Sequence, residues 1–304
     1  MCGIGGILYK PASGKRTESV GSQLVSMLDS MAHRGRDSTG VTVSGEDIDC
    51  DFIVRIWSDP SIDYEAGFKL VEDRVLANGG HIVDHKKVSE YLRLGIEFEG
   101  EISILARDLM SISGIEIHSI GRSSEVVKDV GTGTTLERRH QVSNLNGTHG
   151  IGHVRMATES RVDITHAHPF WAYPFPDITV VHNGQITNYH RMKREYIDMG
   201  HRFQTENDSE LIAVYLADRL SRGASLQESL ADSQNDLDGT FTYLVSTENG
   251  LGVAKDQWAA KPLVLIETEQ MVALASEEVA LRSIFPGEFE RTDPQESEVM
   301  TWVI

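Results

Sequence analysis

From Gly150 to the C-terminus, strand-like runs lie beside strand-like runs and helix-like runs beside helix-like runs. That segregation leaves few architectures open. Residues 239–247, 250–255, 263–267 and 271–275 are short, β-rich and separated by turn residues, the pattern of an antiparallel meander. Two helices precede them. The first carries Leu211, Ile212, Tyr215, Leu216 and Leu220 on one face, behind Asp208 in the N-cap position, and the second spans 225–236. Residues 152–157 and 178–182 read as strands, the second turning at Asn183-Gly184. A short helix over 276–285 and a strand over 298–304 close the chain. The reading is α+β with largely antiparallel sheets.

The N-terminal half is less regular. Residues 1–12 predict a strand ended by Pro11, with glycines at 3, 5 and 6 that imply close backbone approach. Leu24, Met27, Leu28 and Met31 have helical spacing, so 19–32 predicts a helix that stops near His33-Arg34-Gly35, with Gly35 as its terminator. Within 41–149, residues 52–57, 115–120 and 124–130 predict strands, 84–94 and 101–112 predict helices, and 131–135 reads as a loop.

Charge and cysteine content exclude several functions. The formal charge is −18, which repels phosphate backbones and argues against nucleic acid and anionic membranes as main partners. No apolar run approaches the ~20 residues of a membrane helix. The N-terminus lacks the basic leader of a signal peptide. Cytoplasm is the expected location, and there Cys2 and Cys50 would be free thiols.

Cys2, directly after the initiator methionine, carries the most chemistry. Removal of Met1 would leave one residue holding both a thiol and an α-amine. A thiolate is a nucleophile, and an α-amine titrates near 7.7–8.0, so it can serve as base for the thiol directly or through water. Alone, a Met-Cys start is equally an ordinary beginning.

Its surroundings decide the matter. Met1-Cys2-Gly3-Ile4-Gly5-Gly6 resembles the start of the class II glutamine amidotransferases, members of the N-terminal-nucleophile hydrolase superfamily. Further matches follow in the family's order. Residues 33–40, His-Arg-Gly-Arg-Asp-Ser-Thr-Gly, resemble its HRGxDxxG segment, and Gly152-His153-Val154-Arg155-Met156-Ala157-Thr158 is similar to its GHxRxAT strand. His166-Ala167-His168-Pro169-Phe170 resembles the segment before its substrate turn. His182-Asn183-Gly184-Gln185-Ile186-Thr187-Asn188 looks like its HNGxIxN turn, and Thr205-Glu206-Asn207-Asp208-Ser209-Glu210 like its (S/T)-x-x-D-(S/T)-E helix start. Ala254-Lys255-Asp256 with Lys261-Pro262-Leu263 resembles its RDxxGxKPL hairpin, and Ala275-Ser276-Glu277 its later ASE. The chain departs from several members at Met156, where they have Trp, and at Glu159-Ser160, where they have His-Gly.

The resemblance implies a four-layer αββα sandwich of antiparallel sheets. It implies one amidotransferase domain over 1–304, in which 41–149 is an inserted lobe. It also implies roles. Cys2 would attack the side-chain amide of L-glutamine. The Asn183 side-chain N–H and the Gly184 backbone N–H would form the oxyanion hole. Arg155 would grip the substrate α-carboxylate with a planar guanidinium, and Asp208 its α-ammonium. Arg34 would shape the loop around Cys2. No metal is required, and ammonia and glutamate would be the products.

Family enzymes carry an acceptor domain, and none fits after the last motif. The expectation is therefore a separate synthase subunit, of the kind found in glutamate synthase and N-methylglutamate synthase systems, with FMN and iron–sulfur on that partner and no cofactor in this chain. Two other readings stand beside it: a partner-independent amidohydrolase of the same superfamily, and a non-catalytic glutamine-sensing or scaffold subunit. The His166/His168 pair has metal-ligand spacing if both lie on a strand, but no third ligand lies nearby, and an aromatic loop follows.

Overall fold

The computed structural model describes residues 2–14, 18–46, 48–157 and 161–304. The family-pattern positions Met1, Thr158, Glu159 and Ser160 lie outside them. Among the described residues no helix is long and apolar enough to cross a membrane.

The architecture grows from the glycine-studded first strand, β1 (Gly3–Tyr9). Its side chains alternate between two buried faces. Ile4 and Leu8 point into an apolar layer with Ile151, Val181 and Leu244, whereas Ile7 packs with Leu24, Met27 and Leu28. The glycines let neighbours lie on the backbone itself. A Cβ at Gly5 would meet Met27 Cε at 3.3 Å on one side, and one at Gly6 would meet Leu244 Cδ1 at 3.1 Å on the other.

The remaining strands are β2 (Ser38–Ser44), β3 (Phe52–Ser58), β4 (His81–Val88), β5 (Tyr91–Glu97), β6 (Ile115–Gly121), β7 (Ser124–Val130), β8 (His149–Arg155), β9 (Phe170–Trp171), β10 (Thr179–Ile186), β11 (Gly239–Thr247), β12 (Gly250–Lys255), β13 (Val264–Glu267), β14 (Met271–Ala275) and β15 (Val299–Val303). The helices are α1 (Val20–Ser30), α2 (Tyr64–Ala77), α3 (Ile102–Leu109), α4 (Gly133–His140), α5 (Tyr189–Asp198), α6 (Asp208–Ser221), α7 (Leu226–Asp236) and α8 (Glu278–Ile284). A six-stranded sheet runs β13-β14-β1-β8-β2-β7 and a five-stranded sheet β15-β12-β11-β10-β9, with antiparallel neighbours throughout. Helices α1, α4 and α8 cover the outer face of the first sheet, and α6 and α7 that of the second. The expected α+β sandwich of αββα layers is present.

The segment between 41 and 149 is shared between two sheets. Its first residues belong to β2, and β7 and the returning chain lie on the six-stranded sheet; residues between them form a four-stranded sheet, β4-β5-β3-β6. Helices α2 and α3 cover that sheet around a core of its own, including Phe68, Leu92, Leu94 and Leu105.

Several local expectations need correction. Residues 84–94 are not a helix but a hairpin of β4 and β5, turning at Ser89-Glu90 with Ser89 at φ +50°. The buried residues Leu92, Leu94 and Ile96 alternate with period two, a strand signal that the helical reading overlooked. The 131–135 loop is shorter than expected, because α4 begins at Gly133. Helix α1 ends at Ser30, before a 3₁₀ turn over Ala32–Arg34, and Gly35 is extended rather than left-handed. Gly35 is needed for proximity instead: a Cβ there would lie 2.4 Å from the Arg155 carbonyl carbon.

Leu244 fills the layer between the two large sheets and is 1% exposed. Replacing it with alanine is expected to cost about 2–5 kcal/mol, the usual range for a buried leucine. Urea unfolding followed by circular dichroism measures this. A loss below 1 kcal/mol would contradict a tightly closed inter-sheet core.

Candidate active site

The site forms where β1 begins. Gly3 lies opposite Val154 in the β1–β8 register, so one further step sets Cys2 beside Arg155. Cys2 is half-buried and its thiol is free. The sulfur rests against the main chain of Met156, 3.5 Å from its N and 3.7 Å from its O. The Cys2 carbonyl accepts two hydrogen bonds, from Arg34 Nε at 2.9 Å and from Asn183 Nδ2 at 3.1 Å.

Each partner is fixed in turn. Arg34 is buried and ion-paired with Glu277, which also meets His33 Nε2 at 2.9 Å. Next to Glu277, Ser276 Oγ accepts from the Ile4 N–H at 3.0 Å, and the Ser276 N–H donates to the Ile4 carbonyl at 2.9 Å. Asp37 accepts from the Ala157 N–H at 2.7 Å, while its own N–H donates to the Arg155 carbonyl. The motifs around 33–40, 152–157 and 275–277 thus converge on the beginning of β1.

Asn183 and Gly184 are not a turn. Both lie inside β10, paired with Thr242 and Phe241 of β11. Gly184 is nevertheless obligatory: it sits at φ +147°, and a Cβ would lie 2.1 Å from the Thr240 carbonyl oxygen. The Phe241 N–H donates to Asp256 Oδ2, and its carbonyl accepts from the Asp256 N–H. Phe241 therefore points away from β10, so the opposed Gly184 turns its own N–H away from β11, outside the ladder. Asn183 keeps a second amide hydrogen beyond the one spent on Cys2.

Arg155 ends β8, is 3% exposed and donates from Nη1 to the Arg161 carbonyl at 2.9 Å. Burial lowers its pKa from the ordinary guanidinium value, against the opposing pull of Cys2, Asp163 and Asp37. Asp208 is the first residue of α6 and not its cap; Asn207 is the cap, its side chain accepting from the Ser209 N–H at 2.9 Å. Asp208 Oδ2 accepts from the Ile186 N–H at 2.9 Å, which ties the carboxylate to the end of β10.

Behind these residues lies a group of buried polar side chains to which the sequence gives no role beyond the metal-ligand spacing of His166 and His168. His153 and His168 stack with ring centroids 3.9 Å apart. His153 Nε2 reaches the His182 carbonyl at 3.1 Å. Ser209 Oγ lies 2.7 Å from His168 Nε2 and 2.9 Å from His182 Nδ1. Burial lowers the pKa of all three rings, that of His153 to about 3. Strand parity carried a signal: His153 shares a face with Ile151, which points into the inter-sheet layer. His166 and His168 lie on a loop rather than a strand, and His166 Nδ1 turns to Asp163 at 2.6 Å.

Comparison with known proteins agrees with this arrangement. A family model described as a glutamine amidotransferase domain matches residues 153–283. A Methanothermobacter thermautotrophicus protein named as a glutamine amidotransferase is 38% identical, covering 98% of this chain and 99% of its own. The glutamine amidotransferase-like protein GlxB of Rhizobium meliloti is 35% identical, covering 99% and 98%. Among solved structures, the glutamine phosphoribosylpyrophosphate amidotransferase of B. subtilis superposes with a TM-score of 0.62 at 18% identity, over 99% of this chain and 47% of that one. That likeness shows a shared fold. The chain belongs to the class II glutamine amidotransferases, enzymes that hydrolyse the side-chain amide of glutamine.

Two buried histidines set a pH dependence. Burial lowers His149 to about 4 and His153 to about 3, from an ordinary value near 6.5. The folded state therefore binds fewer protons than the unfolded one below pH 6.5. This stability is fully present above pH 6.5 and lost as pH falls through the window toward 4 and 3. Each ring contributes up to about 1.4 kcal/mol per pH unit there. Denaturant unfolding between pH 7 and 5 should show a shallower slope for His153→Gln than for the parent; equal slopes would contradict the burial of a neutral ring.

Proposed function

We propose that the chain is a glutaminase subunit acting through Cys2 as N-terminal nucleophile and passing ammonia to a separate synthase subunit. The observation that carries this reading is the doubly held Cys2 carbonyl. Arg34 and Asn183 fix the residue whose thiol reacts, and Asn183 supplies an oxyanion donor from the opposite sheet.

With Met1 removed, the Cys2 α-amine takes the thiol proton, directly or through water. The sulfur attacks the glutamine side-chain carbonyl carbon. The negative charge goes to the carbonyl oxygen, held by the second Asn183 N–H and the Gly184 N–H. The C–N bond then breaks, the amine returns its proton, and ammonia leaves a glutamyl thioester. Water attacks the thioester with the same amine as base, releasing glutamate and the thiol.

Arg155 binds the substrate α-carboxylate and Asp208 its α-ammonium. The burial of Arg155 favours an anionic guest, because it strengthens a bidentate guanidinium–carboxylate pair. The acceptor reading is a partner of glutamate-synthase-like type, with FMN and iron–sulfur on that partner. Its supports are the order of the motifs and two relatives matched over nearly their whole length.

Two variants test the assignment. Asn183→Ala should lower kcat by about 10²–10³ while folding normally, because one oxyanion donor is lost. Arg155→Lys should raise the glutamine KM by about tenfold or more, because a point charge replaces a planar fork. Steady-state glutamate release measures both, and parental kinetics in either would remove that residue from its role. Glutaminase activity should also rise when the synthase subunit and its acceptor are added; an unchanged rate would count against ammonia transfer to that partner.

A further inference from the structure

The side chain of Ser209 has three polar neighbours and one proton. His168 Nε2 lies at 2.7 Å, His182 Nδ1 at 2.9 Å and Asp208 Oδ1 at 3.5 Å. Where that proton points decides the tautomers of two buried rings. His168 Nδ1 and His182 Nε2 are both buried with no hydrogen-bond partner among the described residues, as is His153 Nδ1.

Suppose Ser209 donates to His168. That ring must then carry its hydrogen on Nδ1, where no acceptor lies among the described residues. Suppose it donates to His182 instead. The hydrogen of that ring then sits on Nε2, the atom that would lie 3.0 Å from a Cβ built on Gly184, again with no acceptor among the described residues. Either choice buries an unsatisfied N–H, the costly case. One arrangement avoids it: both rings donate to Ser209 Oγ, and the hydroxyl proton turns to Asp208 Oδ1. Every unpartnered ring nitrogen is then a bare acceptor. His153 fits the same rule, since its Nε2 faces a carbonyl and must donate.

We propose that Ser209 is a positioning residue, held by His168 and His182 as a double acceptor so that its own proton fixes the Asp208 carboxylate. The Ile186 N–H holds Oδ2 and the Ser209 hydroxyl faces Oδ1, so the carboxylate has one orientation. His182 precedes Asn183 on β10, and the network thereby links the orientation of Asp208 to the strand that carries the oxyanion donors. The neutral state that burial enforces on the three rings is the state the arrangement needs. The catalytic consequence rests on the reading of Asp208 as the ammonium grip; the tautomers do not.

Long-range ¹H–¹⁵N correlation spectra of the intact chain, labelled at histidine, read the tautomers without substrate. The expected pattern is Nε2–H for His153 and His168 and Nδ1–H for His182. An Nε2–H tautomer at His182 overturns the proposal. Ser209→Ala should raise the glutamine KM about tenfold, as expected for a lost hydrogen bond to a charged group. It should leave kcat within about threefold, because the lost contact is to the head group rather than the reacting amide. Ser209→Thr should restore KM, since it keeps the hydroxyl. An unchanged KM in Ser209→Ala with the expected tautomers removes the positioning role. An unchanged KM in Asp208→Asn instead removes the ammonium-grip reading and leaves the proton arrangement standing.

Discussion

The carbonyl of Cys2 is the point on which the active-site geometry depends. It immediately precedes the central strand of one sheet, and it is held by an arginine from the 3₁₀ turn after α1 and by an asparagine from the facing sheet. A carbonyl has two lone pairs, and both are used. The beginning of a chain is ordinarily its least ordered part. Here residues 3–9 are pinned on both edges, by β14 and β8, and on both faces, by α1 and the second sheet, and Cys2 is held at its own carbonyl. A thiol at this place has a defined position because the backbone beneath it has no other.

The polar groups behind the site follow a different rule from the apolar layer between the sheets. Ile4, Leu8, Val181 and Leu244 need only exclude water. His153, His168, His182 and Ser209 are buried as thoroughly, and each must find hydrogen bonds or stay uncharged. They do both: burial keeps the rings neutral, and the serine hydroxyl gathers two of them. The price is sensitivity to acid, and the return is a carboxylate and an asparagine held in fixed relation across β10 and α6.

Much of this was legible in the residues. The segregation of strands from helices after Gly150 identified the antiparallel architecture, and the order of the short motifs marked the positions that now converge on Cys2. What misled was local chemistry with two meanings. Asn183-Gly184 is a good turn pair, yet β10 runs straight through it, because the glycine serves close approach to Thr240 rather than chain reversal. Asp208 resembles a cap, yet Asn207 caps the helix and frees Asp208 to face β10 and Ser209. The 84–94 hairpin was hidden because a short amphipathic stretch satisfies both periods, and pairing with a distant strand decided the outcome. The histidine network was invisible for a related reason. Its three rings come from separate segments, and only the closure of the sheets brings two of them to one serine and stacks the third on His168.

In the proposed mechanism Cys2, as the first residue, attacks glutamine held by this pocket. Intact mass spectrometry after incubation with a diazo-ketone analogue of glutamine, alongside Cys2→Ala, tests it most directly. The expected result is a protein without Met1 that gains one adduct at Cys2, and a Cys2→Ala variant that gains none. A protein that keeps Met1 and remains unmodified, or one modified equally with and without Cys2, would contradict it.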